Sequence, residues 1–195
     1  MDRLEFLKKM KTAVLAAGLL MMSTSCAFSG NSGNTVLNGD LKFTQADLSV
    51  KPFMEIEIET VADVYYTQTN GDQQDVRLDF SKISDPKFKK QLMENVKVVY
   101  RENKMIIGLA SRVKGISKLK NNERLRVYVT SPDLVKVSLE GVGSFNANAI
   151  NSDVFEIDNE GVGNVNVKNL LANKIEITNE GVGNVRIDNM QSDHV

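Results

Sequence analysis

Glu140-Gly141-Val142-Gly143-Ser144-Phe145, Glu160-Gly161-Val162-Gly163-Asn164-Val165 and Glu180-Gly181-Val182-Gly183-Asn184-Val185 are three spellings of one phrase, spaced twenty residues apart. A short fixed period marks a solenoid, in which a repeat buries its apolar side only by stacking on its neighbours. The apolar positions keep register with the phrase. Val135, Phe155, Ile175 and Val195 form one column; Val137, Ile157 and Ile177 another; Val142, Val162 and Val182 a third. Phe145, Val165 and Val185 follow, then Ala147, Val167 and Ile187, then Ile150, Leu170 and Met190.

Inside each repeat apolar and polar residues alternate, as in Val165-Asn166-Val167-Lys168 and Ile175-Glu176-Ile177-Thr178. A period of two is the strand signature. Twenty residues cannot supply a helix pair, but they do supply short strands and turns. The expected fold is therefore all-β: a right-handed β-helix, or solenoid, with coils of about 20 residues stacked about 4.8 Å apart. Irregular N-terminal strands and one short helix precede it. Gly161 and Gly163 are expected to allow positive φ or close backbone approach at a corner while Val162 turns inward. Asn159/Asn179, Asn164/Asn184 and Asn169/Asn189 are expected to tolerate corner geometry and to pair between coils.

Ahead of the repeats, Met54, Ile56 and Ile58 alternate with glutamates, and Val61–Gln68 reads as a second strand. Asn70-Gly71 signals a tight turn, after which Val76–Phe80 returns. Asp85-Pro86 predicts a helix start, with Phe88, Leu92 and Met93 on one face of a helix over 86–94. Val96–Tyr100 and Met105–Leu109 predict a hairpin around Glu102-Asn103, and Leu125–Val129 a strand. Between them, residues 111–122 form a basic loop with Arg112, Lys114, Lys118 and Lys120. These middle strands are expected to be the first coils, capping the N-terminal end of the solenoid.

Residues 1–26 read as a targeting segment. Basic residues end at Lys11, and an apolar run of about eleven residues follows, too short for a stable span and suited to a signal peptide. Translation can start at Met1 or Met10. The run ends in Ser23-Thr24-Ser25-Cys26, whose Cys is the only one in the chain and so forms no intrachain disulfide. This ending resembles a bacterial lipobox, with Ser23 where lipoboxes usually carry Leu. The resemblance implies that Cys26 is the lipidation site and the mature N-terminus; ordinary cleavage near Ser25 is the alternative. Residues 27–40 read as a flexible tether rich in Ser, Gly and Asn. The domain then occupies residues 41–195. Removing the leader takes four of the 24 basic and two of the 25 acidic residues, leaving a net charge of about −3. No basic stripe interleaved with aromatics occurs, so nucleic acid is not an expected partner.

Four stretches together resemble the head GIN domain family of auto-transporter adhesins in Bacteroidetes envelope proteins. They are residues 52–68, Val98–Ile107, Leu125–Leu139 with its Val-Tyr-Val-Thr-Ser-Pro-Asp-Leu, and the Gly-Val-Gly coils. The resemblance implies a β-helical fold, an outer-membrane lipoprotein setting and an adhesive role. It carries over no catalytic residues. Members usually have further coils, so the coil that ends at Val195 is expected either to continue into C-terminal coils missing from this sequence or to be covered by a partner or a second copy.

For function, the expected reading is a lipid-anchored binding module, not an enzyme, with no cofactor. Its expected contact face carries Asn146, Asn166 and Arg186 beside Asn148, Lys168 and Asp188, side chains suited to glycans or an envelope protein. A β-helix polysaccharide lyase or hydrolase, and a structural protein assembling end to end, are the alternatives. The column Glu140, Glu160 and Glu180 is the candidate for a cation such as Ca²⁺, weighed against three solvated corner carboxylates. His194, the sole histidine, lies next to the end and argues against a histidine-based relay.

Overall fold

The computed structural model describes residues 50–111, 113, 115 and 123–193. Cys26, the tether, Arg112, Lys114, Lys118, Lys120, His194 and Val195 lie outside them. The described residues are mostly strand, with a single short helix among them. In order, the elements are β1 (Glu55–Ile58), β2 (Val61–Gln68), β3 (Asp75–Asp79), α1 (Pro86–Asn95), β4 (Val96–Arg101), β5 (Lys104–Leu109), β6 (Leu125–Ser131), β7 (Lys136–Leu139), β8 (Val142–Asn159), β9 (Val162–Asn179) and β10 (Val185–Gln191).

The repeat dictates the pairing of the last three strands. β8 and β9 run parallel, with Phe145 opposite Val165, Ile150 opposite Leu170 and Phe155 opposite Ile175, so each partner is one phrase away. β10 continues on β9 with the same offset, Val185 opposite Val165. Within β8 the buried-exposed alternation breaks twice, at Asn148-Ala149 and at Asp153-Val154, where two consecutive residues face outward. Such a break is where a strand turns a corner while keeping its apolar side in. The first part of β8 therefore pairs with β2 and its last part with β7. The ten strands form one curled sheet, and its inward side chains share one core.

Two stacks result, parallel throughout except where β3 meets β6 and β4 meets β5. One runs β3-β6-β2-β8-β9-β10, the other β4-β5-β1-β7-β8-β9. The order within them is not chain order. β1 lies between β5 and β7, and β2 between β6 and β8. Of the strands expected to cap the repeats, β3, β6, β4 and β5 lie at that end of the stacks, whereas β1 and β2 are interior members. The turn signal at Asn70-Gly71 does not make a hairpin with β2 either. β3 pairs antiparallel with β6, because β2 is already flanked on both sides.

The local signals elsewhere act as their chemistry requires. Asp85 caps α1, its carboxylate accepting from the Lys87 and Phe88 amides at 2.8 and 3.0 Å, with Pro86 in the first turn. Glu102, at φ 55°, closes the β4–β5 hairpin.

The inward columns are as expected for Phe145/Val165, Ala147/Val167, Ile150/Leu170 and Phe155/Ile175, all buried. The column of Val142, Val162 and Val182 is different. Val162 is 51% and Val182 71% exposed. Strand parity explains it: Phe145 and Ala147 point in, so Gly143 takes the inward position and Val142 the outward one. A small-residue column, Ser152 and Ala172, fills the bend beside Ile150.

Candidate functional face

The outward side of the first stack presents one residue per strand in a continuous row. Register aligns Arg77 of β3 with Tyr128 of β6, Tyr128 with Tyr65 of β2, Tyr65 with Asn146 of β8, Asn146 with Asn166 of β9, and Asn166 with Arg186 of β10. Paired residues of neighbouring strands point to the same side of a sheet. The Arg77 guanidinium sits 4.4 Å over the Tyr128 ring. The Tyr65 and Tyr128 rings stack at 5.4 Å and 22°. Cation–π and stacking contacts each favour one rotamer, so the three side chains hold each other in place.

The amide half of the row is equally fixed. Asn146 donates to the Val64 carbonyl at 3.2 Å and to the Ser144 hydroxyl at 2.8 Å, and its oxygen accepts from Asn166 at 3.0 Å. Asn159 donates to the Asn179 side-chain oxygen, Asn189 to that of Asn169, and the Asn184 backbone amide to that of Asn164, which meets the expectation of pairing between coils. Of the expected face residues, Asn146, Asn166 and Arg186 thus fall in one row. Asn148, Lys168 and Asp188 are exposed one step further along their strands, and Asp188 accepts from Arg186 at 2.7 Å. Tyr65, Tyr128 and Arg77 were not expected there. The signal for them was the outward parity of Tyr65 in Val61–Gln68 and of Tyr128 in Leu125–Ser131.

The rims of this row carry charge in pairs. Asp63 takes Arg124 at 3.3 Å and the Ser144 hydroxyl at 2.9 Å. Over three adjoining positions per strand the face carries Arg77, Arg126, Lys168 and Arg186 against Asp63, Asp75, Asp79 and Asp188. The charges cancel.

The second stack is more acidic. Lys104 bonds Glu57 at 2.5 Å, and Lys136 bonds Glu156 at 2.6 Å with Asp158 at 3.8 Å. Glu57, Glu59 and Glu140 bring carboxylate oxygens within 4.8 Å of one another. The structure thus gathers Glu140 with two residues of the β1 segment. Glu160 and Glu180 are exposed, and Glu160 contributes repulsion at Glu140. Burial, then the charges of Glu57 and Glu160, raise the Glu140 carboxyl above its ordinary range. Burial, then the hydrogen bond and charge of Glu57, raise Glu59 as well. Burial pushes Glu57 up too, but hydrogen bonds from Lys104 and Glu59 outweigh it and hold Glu57 low. These carboxylates have the oxygen chemistry of a hard-cation site, although the Lys104 ammonium already supplies the positive charge.

A raised folded pKa means stability that is complete below the unfolded value and lost as pH rises through the folded one. Glu59→Gln should therefore be more stable than wild type at neutral pH. The difference should stay below about 1 kcal/mol because solvent screens exposed carboxylates. It should shrink as pH falls toward about 4.3. Urea unfolding of both proteins across that pH range would show it, and a gap that widens in acid would contradict the assignment.

Residues 52–190 match the family model described as "Putative auto-transporter adhesin, head GIN domain". A crystal structure of a "putative adhesin" from Bacteroides fragilis is similar, with 26% identity and a TM-score of 0.57 over 70% of this chain and 57% of that one. A second, a "putative adhesin" from Parabacteroides distasonis, has 19% identity and a TM-score of 0.46 over 73% and 65%. The chain spans little more than half the length of the Bacteroides fragilis protein. No curated protein matches. With the match covering well over half its length, the chain belongs to the head GIN domain family of "putative auto-transporter adhesins".

Proposed function

We propose that this protein is a cell-envelope adhesin whose Arg77–Arg186 face binds glycans. The row of stacked phenols and pinned amides is the observation that carries the reading. Phenol rings and their hydroxyls meet the mixed apolar and polar surface of a sugar. Amides donate and accept together, as sugar hydroxyls do. Because neighbouring contacts already hold these side chains, binding costs little rotamer entropy. Family membership supports an envelope setting. The proposed scaffold is a right-handed β-solenoid, which the twenty-residue parallel offset and the two corners in β8 support. The proposed anchor is diacylated Cys26 in the outer membrane, with residues 27–40 as tether, and the proposed role is non-enzymatic.

A glycan array probed with wild type and with Tyr65→Ala/Tyr128→Ala tests the reading. Wild type should bind a defined set, and the double variant should lose at least about tenfold in affinity. Since the face is neutral, affinity should change little between low and high salt. Binding that the double variant keeps, or that collapses in salt, would remove this face from consideration. Radiolabelled palmitate should enter wild type and not Cys26→Ala; no label in either would remove the anchor.

A further inference from the structure

The face has a direction. Across the strands, Arg77, Tyr128, Tyr65, Asn146, Asn166 and Arg186 follow one another at the strand spacing of about 4.8 Å, so the row extends about 24 Å. Its four central members carry no charge. Along a strand, the composition changes within one step: Tyr65 is flanked by Asp63, and Arg186 by Asp188. The middle of the row is thus an uncharged lane, with an arginine at either end, between two rims of mixed charge. The rim charges are paired in part, Asp63 with Arg124 and Asp188 with the row's own Arg186. A charged chain would gain nothing from such rims, whereas a neutral one fits between them.

We propose that the lane takes a linear neutral glycan laid across the strands, one sugar residue per strand, with the Tyr65–Tyr128 pair as its anchoring subsite. This rests on the glycan reading above. An extended hexose chain advances per residue by about one strand spacing, so each sugar meets the next strand's side chain in register. The tyrosines anchor because they are the large rigid aromatics of the row; Tyr65 stacks on Tyr128, which Arg77 covers from the other side. Asn146 and Asn166 then supply amide groups to the following sugars, and Arg186 closes the lane.

The test is calorimetric titration of the full chain with β-1,4-linked glucose and N-acetylglucosamine oligosaccharides, from disaccharide to octasaccharide. Affinity should rise with each added residue and level off at about five or six, where the lane is filled. Tyr65→Ala should weaken every length about tenfold, while Tyr65→Phe keeps most of the affinity and reports that the fold is intact. Arg186→Ala should weaken the long members several-fold and leave the disaccharide unchanged. A penalty for Arg186→Ala that is equal at all lengths, or affinity that is flat with length, would overturn the lane. Binding of other array glycans but of neither series would keep the glycan reading and overturn the linear neutral occupant. No saccharide binding at all would overturn both.

Discussion

Gly163→Ala is expected to lower the thermal midpoint of this protein by about 8–16 °C, corresponding to a loss of about 4 kcal/mol. A Cβ at that position would lie 1.9 Å from the Gly143 carbonyl oxygen, a backbone atom that cannot swing away. The same holds up the column. A Cβ at Gly143 would meet the Ala62 carbonyl at 1.8 Å, and one at Gly183 the Gly163 carbonyl at 1.7 Å. Gly143 also sits at φ 153°, a region that side chains resist. Coils that touch backbone to backbone are what the phrase Gly-Val-Gly provides. Amides cross the same gap: Gly161 donates to the Leu139 carbonyl at 2.7 Å, and Val162 to Gly141 at 2.9 Å. Relieving the clash would push two coils apart and lengthen these bonds. Gly71→Ala is the control, since nothing lies within 4 Å of its Cβ; it should change stability by less than about 0.5 kcal/mol. Differential scanning calorimetry of the two variants decides the matter. A Gly163→Ala midpoint equal to that of Gly71→Ala would mean that the corners are not in backbone contact.

The same phrase shows why some of the fold was legible and some was not. Where the chain repeats itself, pairing is a statement about sequence: the residue opposite Phe145 is the one twenty later, Val165, and the Asn ladders follow from the same offset. Capping at Asp85 and the turn at Glu102-Asn103 are local and were equally legible. Before Leu134 the chain does not repeat, and pairing between distant segments leaves no local trace. The insertion of β1 and β2 among later strands therefore could not be read, and Asn70-Gly71 suggested a hairpin that β6 pre-empts. The functional face divides along the same line. Asn146, Asn166 and Arg186 were visible as a column, whereas Tyr65 and Tyr128 join them only through the register of β2 with β8 and β6. The valines between the glycines failed for another reason. Parity counted from Phe145 puts them outside, but the glycine at the inward position hides the alternation.

That parity has a measurable consequence in the core. Phe145→Ala is expected to cost about 3–5 kcal/mol and to lower the midpoint by about 6–20 °C. Phe145 is fully buried and belongs to an inward row that crosses six strands: Leu78, Val127, Val64, Phe145, Val165 and Val185. Its ring stacks on Tyr66 at 6.0 Å and 26°. Tyr66 in turn hydrogen-bonds Ser131 at 3.0 Å, so its ring is tied in place and poorly able to fill a void. The neighbours on either side, Val64 and Val165, are β-branched and held by parallel strands, which limits their collapse as well. Val162→Ala, three residues from Phe145's repeat partner but facing solvent, should cost less than about 0.5 kcal/mol. Urea denaturation of both variants separates the two assignments. Similar losses at Phe145 and Val162 would mean that the valines between the glycines face the core after all, and that the alternation through β8 and β9 is shifted by one residue, which would also turn the Asn146–Asn166 row away from solvent.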